Sequence, residues 1–242
     1  MSTPAERRED LKLVWEEART CRDCALHETR TTVVFGAGNA NADLMFIGEG
    51  PGKQEDLQGL PFVGQSGKLL NQLLEESGLA REDVFIANCV KCRPPGNRDP
   101  YPNELQSCQK YLWRQIDLIQ PTVIATLGNF ATKLLRGDST GITQIHGQVE
   151  ERMIGPRRVR LYPLYHPAAA LYTRSMVDVL REDFARIPEL LKLGPPTQPP
   201  AQPDPEVAAP EPMIDPPEPG VESARSEPMK DDSDGGGQLG LF

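Results

Sequence analysis

Along the first 194 residues the spacing of apolar and polar positions switches repeatedly between a helical and a strand-like pattern. In PAERREDLKLVWEEART, Leu11, Leu13, Val14 and Ala18 recur among charges, which predicts an amphipathic helix ending just before Cys21. Beyond it, short apolar runs alternate with longer amphipathic stretches. DLMFIGE, DVFIANC and PTVIATLG read as strands, and SGKLLNQLLEESG, NELQSCQKYLWRQIDLI and NFATKLLRG as the helices that follow them. Ser66 is the expected N-cap of the first of these helices and Gly78 its stop. GQVEERMIGPRRVRLYPLYHP predicts two strands around Gly155-Pro156, and a final helix is expected from about Ser175 to Leu193.

This alternation implies a three-layer α/β/α sandwich around a mostly parallel central sheet. Such sheets carry their active sites beyond the carboxyl ends of the strands. The unusual segments fall there: GEGPG after the first strand, NCVKCRPPGNRDP after the second and HPAAALY after the last. No internal repeat is visible.

Composition divides the chain. Pro195 to Gly237 carries half of the 24 prolines, and ten acidic residues against Arg225 and Lys230. Its net charge of -8 accounts for nearly all of the formal -9, so the acidic total says little about what the preceding domain binds. A stretch this poor in large apolar residues cannot bury enough surface to offset ordering and is expected to be an extended, disordered linker. The expected organisation is a domain at 1–194, a linker at 195–237 and a short peptide at 238–242. No signal segment and no run long enough for a membrane span is evident, which suggests a cytoplasmic protein without membrane contact. Five cysteines in a reducing compartment are then not expected to form disulfides.

Cys21 and Cys24 form a C-x2-C pair, and Cys92 and Cys108 lie far along the chain. Four thiolates from remote segments can surround a metal centre and clamp those segments together. Cys89 is the spare fifth thiol: it sits in FIANCV among core-type neighbours, whereas Cys92 opens the proline-rich loop. Zinc and an iron-sulfur cluster both accept four thiolates, and ligand type alone does not separate them.

Glu49 lies in GEGPG on a backbone whose glycines allow a ligand to approach closely. PFVGQSG, Asn88 at a strand end and His166-Pro167 follow in order. Taken together, GEGPG, PFVGQSG, NCVKCRPPGNRDP and HPAAALY resemble the iron-sulfur uracil-DNA glycosylases often called family four, over Cys21 to about Leu190. The resemblance implies that Cys21, Cys24, Cys92 and Cys108 hold a [4Fe-4S] cluster. It also implies hydrolysis of the bond between uracil and deoxyribose in DNA, leaving an abasic site for base excision repair.

The roles that follow agree with that chemistry. The reaction develops an oxocarbenium-like sugar and a uracil anion. His166 is expected to donate to the uracil oxygen that gains charge, and Glu49 to position or activate water. The Asn88 amide offers a donor and an acceptor to the O4/N3-H edge of uracil, where cytosine presents the opposite pattern. Phe62 is expected to stack on the extruded base, with Gly48 and Gly50 forming part of the uracil pocket. Better-known relatives exclude the thymine methyl with a tyrosine where this motif has Gly52, so other residues must exclude it here.

HPAAALY is expected to form a loop entering the minor groove, with Leu171 or Tyr172 as the wedge. Lys91, Arg93 and Arg98 crowd one loop and Arg174 follows HPAAALY, a local basic set suited to phosphate contact. Gln238, Leu239, Gly240, Leu241 and Phe242 resemble the QL-x-LF peptide by which bacterial replication and repair proteins dock into the sliding clamp. A protein that binds uracil-DNA without turnover and a metal-containing replication adaptor are the competing expectations. A monomer is expected.

Overall fold

The computed structural model describes residues 3–155 and 157–199, so most of the expected linker and the Gln238–Phe242 peptide lie outside the described residues. The chain enters through α1 (Pro4–Thr20), where Thr3 and Glu6 close a capping box: the Glu6 carboxylate accepts the Thr3 N–H at 2.7 Å. After α2 (Leu26–Thr29) comes a two-residue strand, β1 (Ala37–Gly38), followed by β2 (Leu44–Gly48), α3 (Lys53–Gln58) and α4 (Gln65–Glu76). Next come β3 (Phe85–Asn88), α5 (Pro102–Ile119), β4 (Val123–Leu127), α6 (Asn129–Arg136) and α7 (Ile142–Ile145). The hairpin strands β5 (Glu150–Ile154) and β6 (Arg157–Leu164) precede α8 (Pro167–Ala170), α9 (Arg174–Ala185) and α10 (Ile187–Lys192).

One sheet results, in the order β1-β3-β2-β4-β6-β5. Its four central strands are mutually parallel, and β1 and β5 join its edges antiparallel. Strand alternation divides the core into two faces. Met45, Ile47, Ala87 and Ile124 pack with Leu11 and Val14 of α1 and Leu112 and Ile116 of α5. Leu44, Phe46, Ile86 and Ala125 pack on the other face with Leu70 and Leu73 of α4 and Leu180 and Phe184 of α9. This is the expected α/β/α sandwich. Because β2, β3, β4 and β6 run the same way, Gly48, Asn88, Leu127 and Leu164 all end at one edge of the sheet.

The details depart from expectation in four places. Gly64, not Ser66, precedes α4, and Ser66 lies within the first turn. Pro188 divides the last helix: it falls in the first turn of α10, where a missing N–H costs least, and a turn at Arg186 separates α10 from α9. HPAAALY contains a helical turn, α8, rather than a plain loop. The fold also continues past residue 194, because Pro196 is buried and the Gln198 side-chain amide exchanges two hydrogen bonds with the Arg158 backbone, at 2.8 and 3.1 Å. Among the described residues, no helix is long and apolar enough to cross a membrane.

Candidate active site and thiol cavity

A cavity of about 350 Å³ opens at the carboxyl edge of the strands, within the range of small-molecule sites. Glu49, Gly50, Phe62, Asn88, Arg98 and His166 line it together with Gly52, Glu55, Ser66 and Asn97. Segments remote in sequence therefore converge on one space.

His166 ends the turn after β6 and caps α8. Its Nδ1 accepts the Ala168 N–H at 3.0 Å, so the proton of the neutral ring sits on Nε2. Burial pushes the imidazole down to about 4, and the carboxylate of Glu55 offsets this only partly. At neutral pH the ring is an uncharged donor whose tautomer is fixed by the backbone. Phe62 packs against it, with ring centroids 5.6 Å apart.

Phe62 is held in an uncommon conformation, at φ 52°. A Cβ at Gly67 would meet the Phe62 carbonyl oxygen at 1.8 Å, so only glycine lets α4 pass this close. Glu55 secures the same segment. Its buried carboxylate accepts the Val63 and Gly64 N–H groups, both at 2.9 Å. Gly48 lies behind the cavity wall, where a Cβ would meet Asn88 Oδ1 at 2.6 Å and the Phe62 ring at 2.8 Å.

Asn88 is 2% exposed and ends β3. Its Oδ1 is buried without a hydrogen-bond partner among the described residues, an expensive arrangement unless a donor from ligand or water reaches it. Desolvation first, and then the charge of Asp99, raise the Glu49 carboxyl above its ordinary 4.5. Glu49 and His166 also border a second hollow that contains Asp99, Asn129 and Lys133.

The basic residues do not behave alike. Lys91 is 1% exposed and does not line this cavity; burial pushes its ammonium down to about 8. The expectation that it contacts phosphate is corrected: Asn88 O and Gln115 Oε1 hold its Nζ inside the protein. Arg98 lies at the cavity but is committed to Glu104 through two hydrogen bonds, at 2.7 and 2.9 Å, and to the Tyr101 ring. Arg93 is half-buried and donates to Asn97 Oδ1. Leu171, Tyr172 and Arg174 are exposed around the end of α8, and Tyr172 is 91% exposed.

A second, narrow cavity lies where the end of α1 meets α5. Cys21, Cys24, Cys92 and Cys108 all line it, and Cys89 does not. Lys110 of α5 pairs at 2.7 Å with Asp23, between Cys21 and Cys24, and Arg114 of α5 pairs with Glu17 of α1, so charges tie α5 to α1 and to the first thiol segment. Arg30 Nη1 donates to Cys92 Sγ at 3.3 Å, and the Lys91 backbone N–H donates to Cys108 Sγ at 3.2 Å. Such N–H groups stabilise anionic sulfur. Burial pushes Cys108 up to about 11 and Cys89 up to about 12. Among the described residues no three His, Cys, Asp or Glu groups converge tightly enough for one metal ion. Four thiols from three segments remote in sequence line this one space, a donor set that suits a thiolate-bound centre.

Glu55, Ser66 and Asn97 are site residues that the sequence reading missed. Glu55 had one signal, an acid three residues after GEGPG in a short polar stretch; Ser66 and Asn97 lay inside PFVGQSG and NCVKCRPPGNRDP but had no signal of their own that set them apart there.

Fold and site define an α/β/α enzyme in which a neutral imidazole donor, a carboxylate and an amide whose oxygen has no partner among the described residues face one cavity at the carboxyl edge of the sheet. Residues 35–191 match the family described as Uracil DNA glycosylase superfamily. The chain is 44% identical over 193 residues to the Type-4 uracil-DNA glycosylase of Archaeoglobus fulgidus, covering 78% of this chain and 97% of the relative. It is 45% identical over 192 residues to that of Saccharolobus solfataricus, covering 77% and 89%. Against that of Thermotoga maritima it is 41% identical over 189 residues, covering 77% and 97%. The chain belongs to the type-4 uracil-DNA glycosylase family.

Proposed function

We propose that this chain removes uracil from DNA as a glycosylase of base excision repair, using Asn88 to read the base, His166 to stabilise the departing anion and Glu49 to direct water. The single observation that carries the residue roles is the buried, unpartnered Asn88 Oδ1 beside the cavity. Uracil N3–H fits that acceptor, and the amide Nδ2–H fits uracil O4. Cytosine presents an acceptor at N3 and a donor at C4, opposing both groups.

The bond from C1′ of the sugar to N1 of uracil breaks, and its electron pair leaves with the base. The negative charge spreads from N1 to O2 and O4. With Asn88 at the O4/N3 edge, the Nε2–H of His166 serves O2, and a neutral donor does so without transferring its proton. Water then bonds to C1′ and one of its protons passes to Glu49; Glu49 returns it through solvent, which neutralises the released uracil anion and restores the carboxylate. The raised carboxyl of Glu49 suits a group that must accept a proton. Phe62 offers an aromatic wall to the extruded base, and Leu171 or Tyr172, exposed beyond α8, would fill the vacated stack. Arg174 is the exposed cation best suited to phosphate.

Cys21, Cys24, Cys92 and Cys108 would hold a [4Fe-4S] cluster, which when bound would fasten α1 to the loop after β3. Gln238–Phe242, QLGLF, would dock in a sliding clamp, with Leu241 and Phe242 filling an apolar pocket. The Pro- and acid-rich stretch before it would act as a tether that raises the local concentration of the domain at DNA. Deleting Gln238–Phe242 should abolish binding to purified clamp while leaving activity on a short oligonucleotide unchanged.

The deciding experiment incubates purified holoprotein with oligonucleotides carrying U opposite G, U opposite A, single-stranded U, or C at the same place. Free uracil and an abasic strand are expected from uracil substrates and nothing from cytosine. Tight binding without release would favour a non-turnover binding protein, and neither binding nor release would favour an adaptor.

A further inference from the structure

Asn88 and Lys91 are three positions apart yet serve opposite sides of the end of β3. Lys91 Nζ donates to the Asn88 carbonyl at 2.9 Å and to Gln115 Oε1 at 2.5 Å. Gln115, fully buried in α5, is itself oriented by donating to Phe35 O at 2.8 Å. On the thiol side, the Lys91 backbone N–H donates to Cys108 Sγ and the residue lines the thiol cavity. Among the described residues no carboxylate forms an ion pair with this ammonium. A buried cation without a counter-charge is costly; the Phe35 ring lies 5.9 Å from Nζ, and the thiol cavity that Lys91 lines is where a counter-charge can be supplied.

The peptide joining Asn88 to Cys89 is fixed at both ends. Its N–H donates to Gly48 O at 2.9 Å, and its carbonyl takes the Lys91 ammonium. A planar peptide gripped at both ends sets the angle at which β3 ends, and with it the direction of the Asn88 side chain.

We infer that Lys91 is the counter-ion of the thiolate site and a positioning residue for base recognition, linking the metal-binding cavity to the Asn88 amide. The ammonium holds the Asn88 carbonyl from one side while its own residue lines the thiol cavity on the other. The positioning half rests on the proposed role of Asn88, and the counter-ion half does not. A buried lysine in a basic motif thus acts on DNA only indirectly.

The test uses iron-loaded full-length protein with Lys91→Met, Asn88→Ala and the double variant. Lys91→Met should lose iron to a chelator about tenfold faster, the scale of lost partners around metal ligands. It should lower single-turnover uracil release about tenfold in the parent, but by less than about twofold in the Asn88→Ala background, since residues acting as a unit are non-additive. An equal cost in both backgrounds would overturn the positioning role, and unchanged iron retention would overturn the counter-ion role. Should Lys91→Met not fold, Gln115→Leu, which removes one acceptor of the ammonium, should give the same pattern at about threefold; additivity there overturns the positioning role equally. A parent protein that releases no uracil, or an Asn88→Ala variant that matches it, would overturn the base-recognition reading and the positioning role together, and chelator kinetics would still decide the counter-ion role.

Discussion

The two cavities flanking the end of β3 handle polar groups in opposite ways. The cavity at the carboxyl edge of the strands keeps them available: among the described residues Asn88 Oδ1 has no partner, His166 Nε2–H points away from its backbone contact, and Phe62 sits at positive φ. In the thiol cavity the chain itself supplies partners. Arg30 and the Lys91 backbone donate to sulfur, Lys91 Nζ is bonded twice, and ion pairs join α5 to α1 and to the first thiol segment. The first arrangement costs folding energy and leaves capacity for a substrate; the second fastens remote segments. Damage to one side should therefore appear as lost chemistry, and damage to the other as lost fold.

The largest expected effect is on the open side. Asn88→Ala should lower kcat/KM on uracil DNA by on the order of 10³, with the melting temperature nearly unchanged, because the lost partners belong to substrate. A large fall in melting temperature would erase the contrast. Cys108→Ser should do the reverse: iron per chain falls and the melting temperature drops on the order of 10 °C, since metal-binding energy is folding energy. Calorimetry with iron analysis measures both.

Glu49→Gln sharpens the comparison within the open cavity. With the parent carboxyl raised above 4.5, activity should fall as pH drops through that raised value. The variant should be slower and lack this limb, which a profile of single-turnover rate against pH would reveal. The smallest effect belongs to the surface outside both cavities. Arg174→Ala should weaken DNA binding at low salt and reduce the slope of log affinity against log salt by about 1, with no change in base preference.

The sequence makes the strand ends legible because GEGPG, Asn88 and HPAAALY each close an apolar run, and parallel strands bring such ends to one edge. Cys89 separates from the other thiols by the same logic, since it continues β3 into the core. Lys91 misleads because the charge that marks a phosphate contact also marks a counter-ion. Only its approach to Gln115, 24 positions away, distinguishes the two. Glu55 reads as an acid in the first turn of a helix, which the helix dipole alone would explain; its true partners are amides eight and nine positions on. The break at Pro188 is present in the sequence, but the amphipathic pattern runs through it because α9 and α10 both pack on the same face of the sheet.

The most direct test of the central claim is a paired measurement on His166→Ala: single-turnover release of uracil and equilibrium affinity for the same uracil-containing duplex. A neutral donor acting on charge that arises only as the bond breaks should matter for rate and little for binding. The expected result is a rate lowered by on the order of 10² to 10³ with affinity within about threefold of the parent. A variant that releases uracil within about threefold of the parent rate would contradict the role assigned to His166, whatever its affinity.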